Sequence, residues 1–123
     1  MAYEDIYEGW KQDPESFWME QARAIDWDTA PGKALFDKGD NLYEWFSDGM
    51  VNTCYNAVDR HVEAGHGART AIIHDSPITG IKQKISYAQL RSRVARLAGA
   101  LRAKGIEQAD RVIIYMPMVP EAL

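Results

Sequence analysis

Apolar and polar positions along this chain change their rhythm near residue 67. Before it, short helical patterns alternate with turn residues; after it, the order is strand, strand, helix, strand. The stretch "DPESFWMEQARAI" predicts a first helix. Asp13 is placed to cap it, and Pro14 sits at the first helical position, where a missing N–H costs nothing. Phe17 shares a face with Ala24 and either Gln21 or Ile25, with Trp18 beside them. "DWDTAPGKALFDKGDNLYEWFSDG" is broken by Pro31, Gly32, Gly39 and Gly49 too often for regular structure, and predicts an extended wrap. Its Leu35, Phe36, Leu42, Trp45 and Phe46 require a surface to cover them.

A second helix is predicted over "NTCYNAVDRHVEAG". Asn52 caps it, Tyr55, Val58 and Val62 form one stripe, and Gly65 supplies a left-handed end. "TAIIHD" and "KQKISY" predict strands joined through "SPITG". Ser86 and Gln89 form a capping box that opens a long helix bearing Leu90, Val94, Leu97 and Leu101, closed at Gly105. "DRVIIYM" predicts a further buried strand, and since it follows a helix the simplest topology is parallel. These patterns give an α/β reading: an aromatic-rich helical extension over 1–66, then over 67–123 the first strands of a layer with a covering helix, left incomplete. No repeat or low-complexity tract interrupts them.

Composition narrows the class. The 123 residues suffice for one domain, and 46% hydrophobic with 26% charged residues describe a folding chain. A formal charge of −4 and a pI near 5.3 argue against nucleic acid as a partner. The single Cys54 cannot pair within the chain, which fits a reducing compartment. The N-terminus has no basic and apolar regions of a secretory signal, and no apolar run approaches the roughly 20 residues that span a bilayer. A cytoplasmic protein without a membrane role is expected.

The chemistry-bearing residues read as structural. The Gly-His-Gly at 65–67 follows a helix and precedes a strand, the reverse of a phosphate cradle. Asp59, Arg60 and His61 are adjacent on a helix and therefore diverge. His61, His66 and His74 lack partners at a metal-binding spacing. Arg91, Arg93, Arg96, Arg102 and Lys104 read as a solvated helix face whose cationic end suits the helix dipole. Cys54 reads as a small core residue. "MPMVPEA" follows the carboxyl end of the last strand, where open parallel sheets collect ligands, but Glu121 is its only ionisable group.

Three blocks carry a resemblance: "DPESFWMEQARAIDW", "NLYEWFSDGMVNTCYNAVDRHV" and "ISYAQLRSRVARLAGALRAKGIEQADRVIIYMPMVPEA". They resemble the N-terminal part of short-chain acyl-CoA synthetases, the acetyl-CoA and propionyl-CoA ligases of the adenylate-forming superfamily. "FWMEQARAIDW" and "NAVDRH" are more similar to propionate–CoA ligases than to acetate–CoA ligases. One position departs: the family usually has Gly before the Asp-Arg-Val, where this chain has Ala109.

The resemblance implies a large enzyme of which this chain is an N-terminal portion, ending before the catalytic motifs. The family joins a short-chain carboxylate to coenzyme A with Mg2+ and ATP, through an acyl-adenylate, releasing pyrophosphate and AMP. Its phosphate-binding Ser/Thr/Gly-rich loop, aromatic-Thr-Glu block, ribose-binding Asp and catalytic lysine do not occur in 1–123. No catalytic, cofactor-binding or metal residue is therefore expected in this chain, nor any ATP, CoA or Mg2+ bound by it alone. The implied partner is the remainder of the same enzyme chain. The alternative is a stand-alone non-catalytic interaction module derived from such an enzyme, binding a partner through the exposed edge of "RVIIYM"; a severed fragment is instead expected to self-associate through that edge.

Overall fold

A computed structural model describes residues 3–123, which form helices and three separate two-stranded antiparallel sheets. Contacts divide the chain into two units, Met1–Asn56 and Ala57–Leu123.

The first unit opens with a helix that the sequence reading did not anticipate, α1 (Tyr3–Gln12). Glu4 and Asp5 lie in its first turn and Lys11 in its last, complementing the dipole. Tyr3 stacks on Tyr7 at 5.8 Å between ring centroids, and Trp10 meets Tyr7 edge-on at 5.9 Å. This i, i+4, i+7 spacing was the available signal, offset by Gly9 in mid-helix. α2 (Pro14–Ala22) begins as expected: an Asp13 Oδ1 accepts from the Ser16 amide at 3.0 Å. Bonds from Arg23, Ala24 and Ile25 back to the third residue before each tighten its last turn.

The expected irregular wrap is instead two small antiparallel pairs. β1 (Trp27–Thr29) pairs with β4 (Met50–Val51), and β2 (Leu35–Asp37) with β3 (Tyr43–Trp45). Residues that looked like breakers build the β2–β3 turn: Gly39, Asp40 and Asn41 all have left-handed φ values, 80°, 53° and 59°. Asp37 Oδ1 accepts from the Gly39 amide at 2.8 Å and holds its entry. The apolar residues expected to be covered divide: Leu35, Phe36 and Phe46 are half-buried, whereas Leu42 and Trp45 are exposed. Gly49 permits close packing, since a Cβ there would stand 2.9 Å from the Trp27 ring. Asn56 ties the unit together. Its side chain accepts from the Asp26 amide at 2.9 Å and donates to the Asp26 carbonyl at 2.8 Å.

The predicted second helix is wound as π-helical turns at Tyr55–Asp59 and Val62–His66. Asn52 caps it by accepting from the Tyr55 amide at 2.9 Å, and Gly65 has a φ of 82°. In the second unit β5 (Thr70–Asp75) and β6 (Lys82–Ser86) form a hairpin with Ile72 opposite Ile85. Ile85, 1% exposed, is the largest fully buried side chain among the described residues. The capping box forms in full: Ser86 Oγ accepts from the Gln89 amide, and Gln89 Oε1 accepts from the Ser86 amide at 2.9 Å. α3 (Tyr87–Ala103) follows. It closes in a Schellman motif, with Ile106 N donating to Leu101 O at 3.1 Å, Gly105 N to Arg102 O at 2.9 Å, and Gly105 at φ 84°.

The last predicted element requires correction. Residues 110–116 pair with no strand among the described residues, so no parallel connection forms. Ile113 and Tyr115 are 90% and 99% exposed. An apolar run such as "VIIY" encodes a strand covered on both faces, and the described residues supply neither a ladder nor a cover. The surplus of open surface is general. Two separate compact bodies, each of half the 13.9 kDa mass, would together expose about 8,000 Å². This chain exposes 10071 Å².

Candidate functional site

The sequence singled out several groups, and the fold disperses most of them. The Gly65-His66-Gly67 segment is a helix exit: Gly65 takes the left-handed turn, and Gly67 O accepts from the Ala88 amide at 2.9 Å. A Cβ on Gly67 would meet Val62 Cγ1 at 3.4 Å and Ala88 Cβ at 3.5 Å, ordinary contact distances, so packing does not require glycine there. His61 lies against Tyr87, with ring centroids 4.8 Å apart and planes tilted by 40°. Asp59 and Arg60 are half-buried beside it in sequence. His74 stands on β5 opposite Gln83. Among the described residues no group of three His, Cys, Asp or Glu side chains is placed to hold a metal ion.

Cys54 is exposed, contrary to the expectation of a core position. It precedes the first π-helical turn, in which Val58 is the buried residue. Arg91, Arg93, Arg96, Arg102 and Lys104 are all exposed along α3, where Arg96 Nε reaches back to Ser92 O at 3.3 Å. The expected ligand cleft beyond the last strand lacks its strand. Pro120–Ala122 forms a single 3-10 turn there, and Met116 and Met118 are exposed.

A further concavity lies elsewhere, in the first unit. It is an open cleft of about 730 Å³ between the α1–α2 junction and the β2–β3 hairpin. Trp10, Trp18 and Trp45 line it with Leu35 and the buried Ala34, and its polar members include Gln12, Asp13 and Glu15. Trp18 meets Trp45 edge-on at 5.4 Å. Glu15 Oε1 accepts from the Ala34 amide at 2.6 Å, which fastens α2 to the hairpin. Hydrogen bonds from the Ser16 side chain and then its amide hold the Asp13 carboxyl below the ordinary carboxylate value, with only a small opposing effect of desolvation. Sequence reading missed this cleft because its indoles come from α1, α2 and β3, which no local spacing connects.

Comparison with known proteins places these elements. A family model described as the acetyl-coenzyme A synthetase N-terminus matches residues 3–57, and one for AMP-binding enzymes matches residues 58–123. The chain belongs to the AMP-binding enzyme family and corresponds to the N-terminal portion of its short-chain acyl-CoA and acetyl-CoA synthetases. Among its relatives, an uncharacterized protein of Pseudomonas aeruginosa is 54% identical over 110 residues, 89% of this chain and 18% of the relative. The mitochondrial acyl-CoA synthetase short-chain family member 3 of Rattus norvegicus is 46% identical over 111 residues, 90% of this chain and 16% of that protein. The acetyl-coenzyme A synthetase of Streptomyces avermitilis is 45% identical over 119 residues, 97% of this chain and 18% of that protein. The chain thus spans less than a fifth of the length of these curated relatives. No helix among the described residues is long and apolar enough to cross a membrane.

Proposed function

We propose that this chain is the non-catalytic N-terminal portion of an ATP-dependent short-chain acyl-CoA synthetase. The whole enzyme converts propionate, with acetate as the alternative substrate, into its CoA thioester through an acyl-adenylate, using Mg2+ and releasing AMP and pyrophosphate. The observation that carries this reading is the contiguous match of two family models, which cover residues 3–57 and 58–123 of a chain aligned to under a fifth of its relatives. Residues 1–66 act as a wrap, and residues 67–123 begin the AMP-binding domain. No residue of 1–123 is assigned to catalysis, to cofactor binding or to a metal. The setting is the cytoplasm.

Reading the gene beyond codon 123 tests the proposal. A Ser/Thr/Gly-rich phosphate loop ending in lysine supports it, and a stop codon at that position overturns it. With the full gene product, propionate-dependent pyrophosphate release exceeding that with acetate supports the substrate assignment. The 123-residue chain alone gains no thermal stability from ATP, propionate or coenzyme A. A true ligand at a hundred times its dissociation constant would add about 2.7 kcal/mol, so binding would register.

A second reading, a stand-alone interaction module that binds a partner through the edge of "RVIIYM", draws on the exposed apolar run 112–115. Sedimentation of wild type and Ile113→Lys distinguishes the two. A stable monomer with cooperative unfolding in both cases favours the self-sufficient module, and aggregation or a strand-exchanged dimer abolished by the lysine favours a severed portion of the enzyme.

A further inference from the structure

The tryptophan cleft combines two surfaces that are costly to leave open and that one chemistry satisfies together. Trp18 is 37% and Trp45 53% exposed, and their indoles share a concavity with Trp10 and Leu35. Apolar surface gathered into a concavity marks a binding groove more than a scattered exposed side chain does. Two carboxylates also line the cleft, and no lysine or arginine does. Both are held in place by the fold: Asp13 through the Ser16 amide on Oδ1, Glu15 through the Ala34 amide on Oε1. The Ser16 side chain also engages Asp13, but with about four lone-pair sites on each carboxylate both retain acceptor capacity.

A purely apolar occupant would strip water from these carboxylates without replacing it. An anionic occupant would be repelled by them. Residues 1–56 reinforce the sign, with twelve acidic against four basic residues, a net −8 in a chain of net −4 overall. The same unit already places cations over aromatic rings: Lys11 Nζ stands 4.1 Å from the Tyr7 ring centroid, and Lys33 Nζ 5.4 Å from that of Phe36.

We propose that the cleft of Trp10, Trp18 and Trp45 is a docking site for an arginine side chain carried on an apolar peptide segment. The guanidinium stacks on indole and extends its fork of N–H donors toward Asp13 and Glu15. Apolar neighbours of that arginine fill the remainder of the volume, which exceeds one side chain. Arginine fits better than lysine because its planar, weakly hydrated head satisfies the rings and the carboxylates at once. Asp13 stays ionised well into acid, which keeps the site anionic across the working range. The residues of the site all lie within the first unit.

The test uses the four indole N–H resonances of the 15N-labelled chain, titrated with acetyl-Leu-Arg-Leu-amide and with its citrulline counterpart. Resonances of Trp10, Trp18 and Trp45 are expected to shift saturably. Trp27, whose indole N–H donates to Ala22 O at 2.8 Å, lies outside the cleft and is expected not to move. Citrulline, isosteric but neutral, is expected to bind about tenfold more weakly. Asp13→Asn with Glu15→Gln keeps oxygen acceptors for the Ser16 and Ala34 amides while removing both charges, and is expected to weaken the arginine peptide about equally and to remove its salt dependence. The proposal is overturned by absence of a saturable shift, by equal affinity for citrulline, by unchanged affinity in the double variant, or by Trp27 shifting with the same midpoint.

Discussion

Ala109→Gly is expected to make the chain more stable, although it removes atoms and adds no contact. Ala109 has a φ of +74°, and Asp110 N donates to Glu107 O at 3.2 Å across the turn that contains it. A left-handed third residue in a four-residue turn closed in this way is the geometry of a type II turn, in which that position favours glycine. Asp110 Oδ2 also accepts from the Glu107 amide at 2.8 Å, so the turn is fixed from both ends and Ala109 cannot relax. Holding an L-residue in the left-handed region costs about 1–2 kcal/mol. Glycine removes that cost but returns roughly 0.4–1 kcal/mol through its larger unfolded-state entropy. The net gain is on the order of 0.5–1 kcal/mol. With a urea slope of about 1–2 kcal/mol/M for a unit of this size, the midpoint rises by roughly half a molar. Urea unfolding followed by circular dichroism reads this directly, with the slope unchanged. Ala109→Asn should fall between alanine and glycine, since asparagine tolerates the left-handed region, and Ala109→Val should fall below alanine. A destabilised glycine variant, or a valine variant equal to alanine, would refute the assignment of strain to this turn.

Three further outcomes follow from named contacts. Ile85→Ala should cost about 2–5 kcal/mol, because it deletes the one large side chain described as fully buried, and should lower the urea midpoint more than Ile73→Ala on the exposed face of the same hairpin. Asn56→Ala removes both hydrogen bonds to the Asp26 backbone at a site that water can reach, so a loss of about 1–2 kcal/mol is expected in the same assay. Asp13 contributes stability above its unfolded-state pKa that is lost as pH falls through its lowered folded value. The stability difference between wild type and Asp13→Asn, which keeps a capping oxygen, should therefore shrink as pH is taken below about 4, and a difference independent of pH would contradict it.

The elements legible in the sequence are those whose partners are close along the chain. Asp13 finds Ser16, Asn52 finds Tyr55, and Ser86 and Gln89 find each other. Leu101 and Arg102 are met by Ile106 and Gly105. Each is a backbone group satisfied within a few residues, so residue type alone specifies it. The hairpin of β2 and β3 was hidden because glycine, aspartate and asparagine at 39–41 serve equally as loop breakers and as left-handed turn formers. Only the pairing of Leu35 with Trp45 decides between them. The cleft was hidden for the same reason at longer range, its indoles being brought together by the α1–α2 junction and that pairing. In the other direction, the apolar pattern of "VIIY" predicts a strand that does not form, because no described residue supplies a ladder partner.

The two units leave different chemistry uncovered, which bears on how each would be covered. The first exposes indoles among twelve acidic and four basic residues; the second, residues 57–123, exposes aliphatic side chains among six acidic and ten basic ones, a net +4. An exposed, unpaired apolar segment such as 111–115 presents a row of backbone donors and acceptors, which a strand satisfies regardless of its side-chain charge. A concavity of indoles with fixed carboxylates has no backbone row to offer and selects by charge and shape instead. Covering that segment is therefore a matter of sheet completion. Filling the cleft is a matter of side-chain recognition. The two surfaces respond to different perturbations: salt weakens the second far more than the first, since exposed charge pairs are screened over about 10 Å at 0.1 M ionic strength whereas apolar burial is not.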